Sequence, residues 1–168
     1  MRIPDWPVHR WFLIAVVLFA AIGLAGATAG GQSLVVERVD TGETIIETPV
    51  SNGSIVALEY THSVEKTRVY DEYTVVDSTL ENTRMEFESY GWGLPAGANV
   101  TREDGVFVFD PAGEYDQFIV KPGRVANHTL HVDETQYDLV ERSDANSVII
   151  RVTRSSPLTR LRECLRIR

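Results

Sequence analysis

From Ser54 to Tyr90 the chain reads SIVALEYTHSVEKTRVYDEYTVVDSTLENTRMEFESY. Apolar and polar residues alternate along it, the period of a half-buried strand. Val56, Leu58, Tyr60, His62 and Val64 fall on one face of a first strand, Ser54–Val64, and strands over Arg68–Asp77 and Glu81–Tyr90 follow. The pattern extends outward to Ser33–Val39, Thr44–Thr48, Val106–Asp110, Gln117–Lys121, Thr129–Val132, Tyr137–Glu141 and Ser147–Arg154. Turn chemistry separates these runs, as in Asp40-Thr-Gly42, Ser51-Asn-Gly53, Glu103-Asp-Gly105 and Lys121-Pro-Gly123. Short strands with turn signals at intervals of roughly 8–12 residues predict an all-β domain over residues 31–154, a sandwich or partly closed barrel of about 8–10 antiparallel strands. Nothing reads as a βαβ crossover, which argues against Rossmann and TIM architectures.

The two ends differ from this body. Trp11–Ala29 is nineteen residues without a charge. As a helix it is about 28 Å long, close to the hydrocarbon thickness of a bilayer. Arg2 and Arg10 precede it, whereas Glu37, Asp40, Glu43 and Glu47 follow with Arg38 alone against them. The positive-inside rule keeps such an N-terminus cytoplasmic and exports the remainder. Two readings fit: a single-pass signal anchor over residues 1–30, or a signal peptide cut after Ala27 or Ala29. The length of the apolar run favours the anchor. Three N-x-S/T triplets, at Asn52, Asn99 and Asn127, agree with an extracytoplasmic location. At the other end, residues 155–168 place Leu158, Leu161 and Leu165 on one helical face among arginines, predicting a short basic amphipathic helix. Its partner is left open between lipid headgroups and the acidic body.

The net charge of −8 is unevenly spread: residues 30–150 carry 22 acids and 8 bases. That body is unsuited to nucleic acid. Only Lys66 and Lys121 are lysines. An acidic, lysine-poor surface is the pattern of proteins that work in concentrated salt, where screening tempers self-repulsion. The one cysteine, Cys164, rules out an internal disulfide and the cysteine-rich zinc sites.

Tyr60-Thr-His-Ser-Val-Glu-Lys-Thr-Arg-Val-Tyr-Asp-Glu72 is the most distinctive stretch. With Glu65-Lys66-Thr67 as a three-residue loop, Val64 faces Arg68, His62 faces Tyr70 and Tyr60 faces Glu72. Tyr60, His62, Tyr70 and Glu72 then form one patch, with His62 and Glu72 diagonal neighbours. That patch, with Ser63 and Glu65 at the loop, is the candidate binding site. Its competitor is a histidine satisfied at the core edge. Ser63 and His62 point to opposite faces, which disfavours a serine nucleophile. The second stretch, Ser89-Tyr-Gly-Trp-Gly-Leu-Pro95, presents Tyr90 and Trp92 on a glycine-hinged loop, either lining a cleft or tucked into the core. His128 and His131, three apart in a strand, face opposite ways and make a poor metal pair.

Taken together, YTHSVEKTRVYDEYTVVD and EFESYGWGLP resemble a small prokaryotic domain-of-unknown-function family, exported and often encoded beside TRAP-type transporters of the TAXI class. The resemblance spans residues 34 to about 153, departing at Arg68, where the family often has proline, and at Trp92, where a small residue is usual. It draws attention to His62, Ser63, Glu65, Glu72, Tyr90, Gly91, Gly93 and Pro95 without giving any of them a role. It implies an exported, β-rich accessory associated with solute uptake. The leading reading is a membrane-anchored domain that contacts a membrane subunit of a TRAP-type transporter or its solute receptor, with no cofactor expected. The alternatives are an enzyme built on His62 and Glu72, with or without a metal, and a purely structural envelope domain.

Overall fold

A computed structural model describes residues 31–89 and 99–154. The expected N-terminal membrane helix, the basic tail of residues 155–168, Tyr90 and Trp92 lie outside the described residues. Among the described residues no helix is long and apolar enough to cross a membrane.

Within Gln32–Arg154 the described residues form twelve strands and one short helix. In chain order they are β1 (Gln32–Arg38), β2 (Thr44–Val50), β3 (Ile55–Thr61), β4 (Arg68–Val76), β5 (Thr79–Phe87), β6 (Thr101–Glu103), β7 (Val106–Phe109), β8 (Gly113–Tyr115), β9 (Gln117–Val120), β10 (Thr129–Val132), β11 (Thr135–Asp138), α1 (Leu139–Ser143) and β12 (Val148–Arg154). They form two antiparallel sheets. One has four strands in the order β2-β1-β12-β9, and the other runs β11-β10-β3-β4-β5-β7-β6, with β8 also paired to β5. Neither sheet closes on itself.

Both sheets contribute to one core. Leu34, Ile46 and Ile150 come from the four-stranded sheet and Val56, Val75, Leu80 and Leu130 from the larger one. Burial of these side chains drives the packing, and Leu34→Ala or Ile150→Ala is expected to cost about 3 kcal/mol in urea unfolding. The hairpins close where backbone φ turns positive at short polar residues: Asp77 and Ser78 between β4 and β5, and Asp104 and Gly105 between β6 and β7.

Two departures from the expected strands have local causes. The predicted strand Tyr137–Glu141 is β11 followed by a helical turn. Asp138 caps that turn by accepting the Glu141 N–H at 2.9 Å, and Leu139 and Val140 are both buried, which alternation forbids. Strands β6 and β8 have three residues each, too few to show a period. Among the described residues the count is therefore twelve, against the expected about 8–10.

Candidate functional site

The β3–β4 hairpin holds the larger departure. Tyr60 pairs with Val69, Glu59 with Tyr70 and Ala57 with Glu72. The chain reverses between His62 and Thr67: the His62 N–H donates to Thr67 O at 2.8 Å and the Lys66 N–H to His62 O at 3.0 Å. The cause is the histidine. Its ring folds back so that Nδ1 accepts the N–H groups of Val64 (3.3 Å) and Glu65 (3.1 Å). A side chain that binds its own backbone in this way takes Ser63 and Val64 out of the strand. Lys66 completes the turn in the left-handed region, at φ 59°. Relative to the expected loop the pairing slips by three residues, an odd number, so the faces exchange.

The expected patch is therefore divided. Tyr60 faces the interior, while Tyr70 and Glu72 lie on the outer face of the large sheet. His62 is level with Thr67 and Glu72 with Ala57, five residues apart, or about 17 Å along the strand. An enzyme built on these two side chains loses its geometry. Ser63 and Glu65 are exposed in the turn.

The interior now holds a group absent from the sequence reading. Asp71 sits on the inner face of β4 and takes a hydrogen bond from the Tyr60 hydroxyl. Burial pushes its carboxyl up to about 6, the Tyr60 bond only partly opposing this. Burial, and then the charge on Asp71, push the Tyr60 phenol up, so it stays a donor at all relevant pH. Tyr60 stacks on His128, with ring centres 5.0 Å apart and planes 12° from parallel. The Gly123 N–H donates to Nδ1 of His128 at 3.2 Å, and burial pushes this imidazole down. The set is an acid whose carboxyl is pushed up to about 6, a phenol that stays protonated and an imidazole whose charged form burial disfavours. Among the described residues no group of three or more His, Cys, Asp or Glu side chains suits a metal.

The loops beyond these strands meet at one end. The Thr61 N–H donates to Ala126 O at 2.7 Å, joining the signature turn to the loop of residues 121–128. Thr67 Oγ1 lies 3.2 Å from Ser89 Oγ, at the start of the second signature stretch. Val64 and Val125, on the two neighbouring loops, are 65% and 73% exposed. The opposite end carries Gln32 and Arg154, which pair with each other and hydrogen-bond Ser78 in the β4–β5 turn.

Residues 56–139 match the model of DUF1850, a domain of unknown function. The chain belongs to that family. No curated protein matches it, and no solved structure does. The DUF1850 match begins in β3 and ends at the first residue of α1, so it holds the large sheet and β9 but not β1, β2 and β12. Both of the distinctive sequence stretches lie within the matched residues.

The outer face of the DUF1850 sheet carries alternating acids and arginines from Glu59 to Glu103, with His131 beside Glu59. His131 Nε2 lies 3.3 Å from Glu59 Oε2, and Glu59 Oε1 lies 3.4 Å from Arg68 Nε. Arg68 reaches Glu86 at 3.0 Å, Glu86 meets Arg84 at 2.8 Å, and Arg84 meets Glu103 at 2.9 Å. Cross-strand diagonals set the contacts of Glu59 with His131 and Arg68 and of Arg68 with Glu86, whereas Arg84 and Glu86 are i, i+2 neighbours on one face of β5 and Arg84 reaches Glu103 across β7. Arg68 also covers the Tyr70 ring at 4.7 Å, and Tyr70 meets His131 edge-on. Burial opposes ionisation of Glu86, but bonds from Arg84 and Arg68 outweigh it and hold the carboxyl below its usual range. His128 and His131 do face opposite ways, as strand geometry requires. Arg68→Ala leaves Glu59 and Glu86 without their shared cation. Its expected cost is about 1 kcal/mol at low ionic strength, vanishing in molar salt because the pair is half exposed. Urea unfolding at the two salt concentrations measures it.

Proposed function

We propose that this DUF1850 chain is a membrane-anchored, extracytoplasmic accessory domain that assists TRAP-type solute uptake by binding a transporter component, without turnover of its own. One observation carries the reading: the histidine of the signature is spent on shaping a turn. With Nδ1 accepting two backbone N–H groups, His62 serves as a rigid brace that raises Val64 into solvent. A pre-shaped apolar tip suits recognition, because little ordering remains to be done on binding. The second signature stretch starts beside that turn. The tip is also a strand length, about 30 Å, from Gln32 and Arg154, through which the chain passes to its outer segments.

Other support comes from the sequence. The uncharged run Trp11–Ala29 and the charge asymmetry around it favour an anchor with the domain outside. The resemblance to the transporter-linked family supplies the class of partner.

Val64→Asp tests the reading in a pull-down from native membranes. Recovery of transporter components is expected to fall at least tenfold while the urea midpoint stays within error of the unmodified chain. Equal recovery with both chains, or none with the unmodified chain, contradicts it. The acidic, lysine-poor body adds an expectation: the unfolding midpoint rises between 0.15 M and 2 M NaCl, where the Debye length falls from about 8 Å to below 3 Å. A midpoint that falls contradicts the salt-adapted reading.

A further inference from the structure

Three N-x-S/T triplets stand within the described residues: Asn52-Gly-Ser54, Asn99-Val-Thr101 and Asn127-His-Thr129. Their three asparagines are exposed, whereas Asn82 and Asn146, the other two among the described residues, are half-buried. Such a triplet takes a glycan on its amide nitrogen where that amide, and the hydroxyl two residues on, can be reached. The structure separates the three by this requirement. At Asn52 both groups are in use. Its Nδ2 donates to Asp77 Oδ1 at 3.0 Å and its Oδ1 accepts the Asp77 N–H at 3.1 Å. Ser54 is buried, with Oγ accepting the Ser51 N–H at 3.1 Å. At Asn127 the hydroxyl is the obstacle. Thr129 lies in β10, paired to Asp138 of β11 on one side and to Glu59 of β3 on the other, so drawing it out breaks two ladders.

Asn99 meets neither obstacle. Asn99 and Val100 belong to no strand or helix, and the Asn99 side chain has no hydrogen-bond partner among the described residues. Thr101 opens β6, three exposed residues paired to β7. Its hydroxyl donates to Val108 O at 3.5 Å, the outer limit of a hydrogen bond. We propose that Asn99 is an N-glycosylation site, modified after the domain has folded by a membrane-bound oligosaccharyltransferase that draws on a lipid-linked sugar phosphate. Nδ2 of Asn99 bonds to the anomeric carbon of the first sugar. The bond from that carbon to the carrier's phosphate oxygen breaks, and the lipid phosphate leaves with one amide proton. The inference rests on the extracytoplasmic placement proposed above and is independent of the transporter partner. Strand order sets β6 on the other side of the large sheet from β10 and the loop of residues 121–128, so a glycan on Asn99 is compatible with an exposed Val125.

The test is glycopeptide mass spectrometry on the full chain purified from native membranes. Occupancy at Asn99 is expected to be at least ten times that at Asn52 or Asn127. Asn99→Gln and Thr101→Ala are each expected to lower the glycan signal at least tenfold with the urea midpoint unchanged, and Thr101→Ser to keep it. In parallel, intact cells are treated with a membrane-impermeant amine reagent, and the peptides carrying the exposed Lys66 and Lys121 are read for label. Labelled lysines with a bare Asn99 overturn the glycan and leave the outside placement standing. Unlabelled lysines with a bare Asn99 overturn both. Occupancy at Asn52 or Asn127 equal to that at Asn99, or a glycan that survives Thr101→Ala, also overturns the proposal.

Discussion

Asp71→Asn is expected to raise the stability of the domain at pH 7.5 by about 2 kcal/mol and to leave it unchanged below pH 4. The sign follows from the direction of the shift. The carboxyl ionises near 3.8 when the chain is unfolded and near 6 when it is folded. The folded state therefore holds the proton more tightly. This contribution to stability is complete below pH 3.8 and is lost as pH rises through 6. The full shift corresponds to about 3 kcal/mol. Partial solvent access to Asp71 reduces that figure. Asparagine keeps the shape and an acceptor for Tyr60 but needs no charge in the interior. Urea unfolding of both chains from pH 3.5 to 8 measures the difference. Curves that stay parallel across that range contradict a half-buried Asp71 that ionises at about 6.

The opposite effect is expected one hydroxyl away. Tyr60→Phe removes the donor that reaches the Asp71 carboxylate. A hydrogen bond to a charged group contributes about 1.5–3 kcal/mol, so the loss at pH 7.5 is expected to be about 2 kcal/mol. The ring remains, and with it the stack on His128. In the Asp71→Asn background the same change is expected to cost roughly half as much, because the acceptor is then neutral. The double-mutant cycle reads the coupling directly. It also reads the hairpin register. Had Tyr60 paired with Glu72, it and Asp71 would lie on opposite faces and the coupling would be zero.

That register explains how far the sequence could be read. The alternation of β3, β5 and β12 carried the all-β fold, since inner residues such as Val56, Leu80 and Ile150 recur at every second position. In β4 each face has its own tyrosine and its own acid: Asp71 and Tyr73 inside, Tyr70 and Glu72 outside. Composition cannot choose between such faces. The choice rests on the turn, and the turn rests on an imidazole folding onto its own backbone, which no periodicity displays. Asp71 and the Glu59–Arg68–Glu86 contacts were hidden for the same reason, because both depend on diagonal neighbours that exist in one register alone. His62 stands in the candidate patch of the sequence, and in the structure its Nδ1 accepts the N–H groups of Val64 and Glu65 within the turn.

The central claim is that the braced turn is a recognition surface. Photo-cross-linking in native membranes tests it most directly, with a photoreactive amino acid at Val64 in one chain and at Ser78, in the opposite turn, in another. The account predicts a discrete adduct with a transporter component from position 64 and none from position 78. No adduct from position 64, or the same adduct from both, would contradict it.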